Sequence, residues 1–215
     1  VPGGDRLHRP HRKALGLPDS ANGRTADHQI EPVFLHRWSP RAFTAEPMPH
    51  EALMRLFEAA RWAPSALNIQ PWRFVYAHRE TPEWDPLFGA LMETNQAWVK
   101  NASVLMFAIS DKFRRKADTE PAPNRSHSFD TGAAWAYLAL QAQHMGWASH
   151  AMGGFVPEKA HAATGAPESD YRIEAAIAVG RLADRSTLSE ALQAREVPSG
   201  RGPVSGFVFE GRISP

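Results

Sequence analysis

The 215-residue chain contains no cysteine. That excludes disulfides, thiolate metal ligands and a cysteine nucleophile, and it leaves the redox compartment open. Long apolar runs are missing too. None approaches the ~18 residues of a membrane-spanning helix, so the sequence predicts a soluble protein with no membrane partner. Neither sign of charge is in excess. Lys and Arg number 24 against 23 Asp and Glu, a net charge of +1, and so small a field does not draw in nucleic acid. There is no Gly-x-Gly-x-x-Gly run, which argues against a dinucleotide-binding βαβ unit. No serine sits in a nucleophile elbow, and no histidine–carboxylate group has metal-ligand spacing. His8 and His11 lack a third ligand nearby and read as solvated, so no metal is expected. A chain with so few reactive groups of its own points to a cofactor that carries the chemistry.

What is present is organised around residues 61–74, Arg-Trp-Ala-Pro-Ser-Ala-Leu-Asn-Ile-Gln-Pro-Trp-Arg-Phe. A helix over 50–62 carries one apolar stripe, Leu53, Leu56, Phe57 and Ala60, and Pro64 ends it. A short loop of small and amide side chains then leads through Pro71 into a strand over 72–77. The loop offers a hydroxyl, two amides and backbone groups. Those parts suit a flat heterocycle with a polar edge, and they also suit an ordinary helix-to-strand connection.

Upstream, residues 1–30 are basic, with Arg6, Arg9, Arg12, Lys13 and Arg24, and hold no helical or strand period. They read as an extended or disordered arm, with ordered structure starting near Glu31. Residues 33–43 are expected to be extended. Arg37, Ser39 and Arg41 alternate there, so their side chains either converge on one anion or spend themselves on surface ion pairs.

Downstream, a single helix is expected over 86–95 and a central strand over 103–109. A polar stretch over 111–127 is a candidate lid. A small-sided helix is expected over 130–145 with Asp130 as its N-cap, followed by a strand over 147–152 ending at Gly153-Gly154-Phe155. A short helix over 157–164 and a strand over 171–179 complete the pattern. The apolar patch at 204–209 has no local partner, which suggests a tail that wraps another element or another subunit. The 7 tryptophans suit a core, a subunit interface or a planar ligand.

The segment His-Arg-Trp-Ser-Pro-Arg-Ala-Phe at 36–43 resembles the R-x-S-x-R/K-x-F signature of nitroreductase-family flavoproteins. The run Glu-Ala-Ala-Arg-Trp-Ala-Pro-Ser at 58–65, continued by Asn68, Gln70, Pro71, Trp72 and Phe74, resembles their E-A-A-x-x-A-P-S-x-x-N-x-Q-P-W-x-F stretch. Asp130, Gly132 and Ala134, the pair Gly154-Phe155, and the tail around Arg201 match in order, so the resemblance covers residue 31 to the C-terminus.

The resemblance implies an α+β fold with a mainly antiparallel sheet flanked by helices, spanning 31–215. It also implies an intertwined homodimer with FMN at the interface and a C-terminal tail wrapping the partner. It assigns Arg37, Ser39 and Arg201 to the FMN phosphate and Arg41 to the N1/O2 side of the ring. Pro64, Ser65 and Ala66 would come from the partner chain, with Asn68 supporting their loop. Asn95 would meet the pyrimidine edge, and the Gly153 and Gly154 N–H groups would face N5.

The implied activity is reduction of a small electron-poor acceptor, a nitroaromatic or quinone, by NADH or NADPH in the cytoplasm. It follows a ping-pong course with no catalytic side chain of the protein's own. Flavin-cleaving, dehalogenating and azoline-oxidising relatives mark other outcomes, as does a flavin-binding redox module with little turnover. Three departures stand out. Pro40 removes an N–H within the first motif. Gly153 replaces a common acidic residue. Ser199 replaces a second basic residue, leaving Arg201 with more of the phosphate charge.

Overall fold

The computed structural model describes residues 22–115 and 117–213. His8, His11 and the first part of the expected arm lie outside the described residues.

The strand β2, Val104–Asp111, is buried along its whole length, as its unbroken apolar run requires. It pairs antiparallel with β1, Trp72–His78, on one side and with β6, Tyr171–Gly180, on the other. The short β5, Ala148–Met152, pairs antiparallel with β6 and completes the order β1-β2-β6-β5. Alternate residues of β2 point to opposite faces. Leu105, Phe107 and Ile109 meet α3 (Trp84–Gly89), α4 (Glu93–Val99) and α6 (Pro157–Thr164) through Leu87, Trp98, Val99 and Ala160. Val104, Met106 and Ala108 meet α2 (His50–Arg61) and α5 (His127–His144) through Leu53, Leu56, Leu138 and Ala142. Burying each such leucine is worth about 1.5–3 kcal/mol, so the two apolar layers clamp the sheet from both faces. The result is the expected α+β fold, an antiparallel sheet flanked by helices.

Three local expectations change. The helix expected over 86–95 is interrupted at residues 90–92. There the Ala90 carbonyl accepts from Val156 N–H at 2.8 Å, and Met92 N–H donates to the Gly154 carbonyl at 3.0 Å. Backbone groups that would have continued one helix instead hold the loop after β5, and α4 starts afresh. The second change is at the amino end of the 33–43 stretch, which forms the short helix α1, Pro32–His36, before the chain extends at Arg37. The third concerns Asp130, which lies buried inside the first turn of α5 rather than capping it, since the helix begins at His127 after Ser126.

The polar stretch after β2 folds back as a small hairpin, with β3 (Phe113–Arg114) against β4 (Ala122–Pro123). The tail carries a 3-10 turn at Arg185–Thr187, α7 at Glu190–Gln193 and a second 3-10 turn at Val204–Gly206, after which Phe207 and Val208 stay exposed. No helix among the described residues is long and apolar enough to cross a membrane.

Candidate functional site

From Arg37 onward the extended chain runs beside the segment that follows β6. Thr44 N–H donates to the Arg181 carbonyl at 3.0 Å and Ala183 N–H to the Ala42 carbonyl at 3.0 Å. Alternation then acts as expected on an extended backbone. Arg37, Ser39 and Arg41 line one cavity of about 300 Å³, together with Arg24, His150, Arg195 and Arg201. Arg37 donates through Nη1 to the Trp38 carbonyl at 3.2 Å and to Ser39 Oγ at 3.3 Å. Arg201 donates through Nη1 to the Gly200 carbonyl at 2.8 Å and to Ser199 Oγ at 3.1 Å. Burial lowers the Arg37 pKa below the usual guanidinium value, and the nearby charges of Arg24 and Arg201 lower it further. Like charges gathered in a half-buried pocket make a place for an anion.

Arg41 differs from its neighbours because it has a partner. Glu196, 7% exposed, lies 3.7 Å from Arg41 Nη1, and its Oε1 accepts from the Arg41 N–H at 2.7 Å and the Ala42 N–H at 2.9 Å. This carboxylate fixes the extended backbone and offsets part of the Arg41 charge, so Arg37 and Arg201 are the freer cations. His150, on β5, forms the cavity's inner side. Its Nδ1 hydrogen-bonds the Pro40 carbonyl at 2.9 Å, and its ring lies 4.8 Å from that of Trp98. Burial pushes its pKa down to about 4, with Arg41 and Arg37 adding to the fall and the Pro40 bond opposing it. Pro40 thus contributes through its carbonyl what it withholds as a donor.

Asn95 and Gly154 meet at a second position. Asn95 Nδ2 donates to the Gly154 carbonyl at 2.9 Å, and a Cβ on Gly154 would collide with the same amide, whereas one on Gly153 would meet open space. Gly154 is four residues beyond His150 along the strand direction, about 13 Å at the rise of an extended chain.

The loop holding Pro64, Ser65, Ala66 and Asn68 is elsewhere. It precedes β1, at the sheet edge opposite β5, and three strand spacings put about 14 Å between those edges. None of the four residues lines the arginine cavity. Asp130 of α5 holds the loop by accepting the Ala66 N–H at 3.1 Å, and Ser65 Oγ accepts the Gln70 N–H at 3.0 Å. Leu67, Asn68 and Gln70 all have φ near +54°, a left-handed run rare for residues with a side chain. Leu67 is 81% exposed at its crest.

Sequence reasoning missed Arg24, His150 and Glu196 as site residues: each has a partner more than a hundred residues away, and Arg24 itself lies in a segment without regular structure. It also missed a polar knot in which Ser110 Oγ donates to Glu174 Oε1 at 2.6 Å and bonds His127 Nδ1 at 2.7 Å. The hydroxyl is committed to the carboxylate, so the knot ties α5 to the sheet and is not set up as a nucleophile. Among the described residues no group of three or more acidic or histidine side chains is placed to hold a metal.

The model of the nitroreductase family matches residues 35–181. The chain belongs to the nitroreductase family. A crystal structure of an oxidoreductase containing FMN is 47% identical, with a TM-score of 0.87 and coverage of 90% of this chain and 97% of that one. A putative nitroreductase in complex with FMN from Desulfovibrio desulfuricans is 25% identical, with a TM-score of 0.65 over 86% of this chain and all of that one (100%). An NADH dehydrogenase of Thermus thermophilus is 30% identical, covering 76% of this nitroreductase-family chain and 91% of its own.

Proposed function

We propose that the protein is an FMN-dependent oxidoreductase that passes hydride from NADH or NADPH to a small electron-poor acceptor, a nitroaromatic or a quinone, and that it does so as a homodimer. The observation that carries this reading is the cationic cavity built by Arg37, Ser39 and Arg201, on a fold of this family. The residues present fit a phosphate: guanidinium groups with no ion pair among the described residues, a hydroxyl and half-buried walls. FMN, when bound, would supply a ring that takes hydride from the nicotinamide and returns it to the acceptor.

The chain's own part is to bind and orient. Arg37, Ser39 and Arg201 would hold the phosphate. Arg41, fixed by Glu196, would bring positive charge toward the ring. Asn95 on α4 and the Gly153-Gly154 turn would flank the ring just beyond the end of β5, at a distance suited to a phosphate and a ring joined by a short chain. Pro64, Ser65, Ala66 and Asn68 lie at the opposite edge of the sheet and line no part of the arginine cavity of their own chain. Their place in the site would come from a second copy, which supports the homodimer.

Purified protein is expected to be yellow and to bleach anaerobically with NADH or NADPH, then recover its colour on adding a quinone. Initial rates should give the parallel double-reciprocal lines of a ping-pong course. Colourless protein that takes up no added FMN would end this reading.

A further inference from the structure

Arg24 lies upstream of the region that the family model matches, in a segment with no helix or strand. Its guanidinium nevertheless joins three parts of the chain. Nη1 donates to the Leu35 carbonyl at 3.0 Å and to the Arg37 carbonyl at 2.8 Å, and Nε donates to the Ser199 carbonyl at 2.9 Å. The same side chain lines the arginine cavity. Two further bonds hold the segment there: Asn22 Nδ2 to the His36 carbonyl at 3.3 Å, and the Val204 N–H to Asp27 Oδ2 at 2.9 Å.

The electrostatics of this arrangement are unfinished. No carboxylate is among the residues that line the cavity, and Glu196, next to Arg195 in the chain, is spent on Arg41 and on the two backbone N–H groups. Arg24, Arg37 and Arg201 have no ion-pair partner among the described residues; besides burial, Arg201 disfavours the charge of Arg24, and both disfavour that of Arg37. Mutual repulsion opposes closure of residues 22–30 and the tail around 199–204 onto the Arg37 backbone. An anion between the guanidinium groups reverses the sign, because each then gains a charge-assisted hydrogen bond.

We propose that Arg24 is a phosphate-binding residue, and that the segment 22–30 and the tail around 199–204 close together over the phosphate as it binds. The inference rests on the flavin reading above and extends it, since it adds the segment upstream of the matched region to the cofactor site and couples it to the tail that carries Arg201. Ser199 then acts through its carbonyl, as the anchor for Arg24. The phosphate charge is shared by Arg24, Arg37 and Arg201 rather than left mainly to Arg201.

The test uses protein stripped of flavin and titrated with FMN or with riboflavin, which lacks the phosphate, followed by quenching of flavin fluorescence. Arg24→Met should weaken FMN binding roughly tenfold or more while changing riboflavin affinity little, as expected for loss of a hydrogen bond to a charged group. Arg24→Lys should recover part of the loss. Asp27→Ala removes the tie to Val204 without touching the cavity, and it should weaken FMN severalfold by loosening the closed segment. Unchanged FMN affinity in Arg24→Met would overturn the proposal. So would equal losses for FMN and riboflavin, the mark of a purely structural arginine. If the wild-type protein binds neither flavin, the proposed function falls separately. Inorganic phosphate then decides the inference: it must slow thermolysin cleavage before Ile30 in the wild type and not in Arg24→Met, and absence of that protection would sink it.

Discussion

His150 packs between Trp98 and the Pro40 carbonyl, within the field of Arg37 and Arg41, and this setting makes its charge expensive. In the folded protein its pKa falls from 6.5 to about 4. As pH drops below 6.5 the unfolded chain takes up this proton before the native one does, so stability is lost between 6.5 and 4 and is complete above that window. At pH 5 the loss is on the order of 2 kcal/mol. Urea unfolding at pH 7 and pH 5 should show this difference in the wild type and a smaller one in His150→Gln, which keeps a donor for Pro40. An anion held by the arginines would shrink it. The contrast between His150 and Arg37 shows what was legible at this scale. Arg37, Ser39 and Arg41 were readable because two-residue alternation on an extended chain puts them on one side. His150 and Glu196 were not, because Pro40 is 110 residues from one and Arg41 is 155 from the other.

The interruption between α3 and α4 shows the same limit among elements. Residues 86–95 carry a helical stripe whose inward members, Leu87, Ala90 and Leu91, are indeed buried. The break comes from tertiary hydrogen bonds to the 154–156 loop, which no local pattern announces. Its consequence is the tight approach of Asn95 to Gly154. Gly154→Ala forces its methyl group into the Asn95 amide, which is held by its bond to the Gly154 carbonyl. Overpacking of this kind costs about 1–3 kcal/mol, and it should also displace a pair assigned to the flavin ring. Gly153→Ala meets open space and should leave the melting temperature unchanged. Thermal denaturation of both variants, with and without FMN, checks the pair. The larger fall for Gly154→Ala should persist without flavin, and Gly153→Ala should still bind FMN. The four main strands, by contrast, were legible to within two residues, with Gly153 and Gly180 marking two of their ends; β2 runs past its apolar run to the buried Asp111, and the β3–β4 hairpin was not legible in so polar a stretch.

At the scale of the molecule, the proposed homodimer would join the loop at one sheet edge of one chain to the arginine cavity at the other edge of its partner. The surface around α5 supports that arrangement. Phe129 and Tyr137 project from this helix, 83% and 42% exposed, and Asp130 anchors the loop whose crest, Leu67, is 81% exposed. Phe34, on the α1 helix that packs beside α5, is 54% exposed. Apolar side chains gathered on one side of a helix, next to a backbone strained into the left-handed region, fit a surface that a partner covers. The small residues of α5 are used mostly inward, against α2 and the sheet, and so its aromatic positions are the ones left for a second copy. Light scattering should therefore give a particle of twice 23.8 kDa. Phe129→Glu combined with Tyr137→Glu places carboxylates in that interface without touching the arginine cavity or the core. The double variant should be monomeric and should release FMN on dilution, because it loses the Pro64–Asn68 wall while keeping its phosphate site. Riboflavin binding should fall at least as far as FMN binding, the reverse of the pattern expected for Arg24→Met. A monomer that holds FMN as tightly as the wild type would show that the loop is not a wall of the flavin site, and the 14 Å across the sheet, about three strand spacings, would then simply separate two unrelated surfaces.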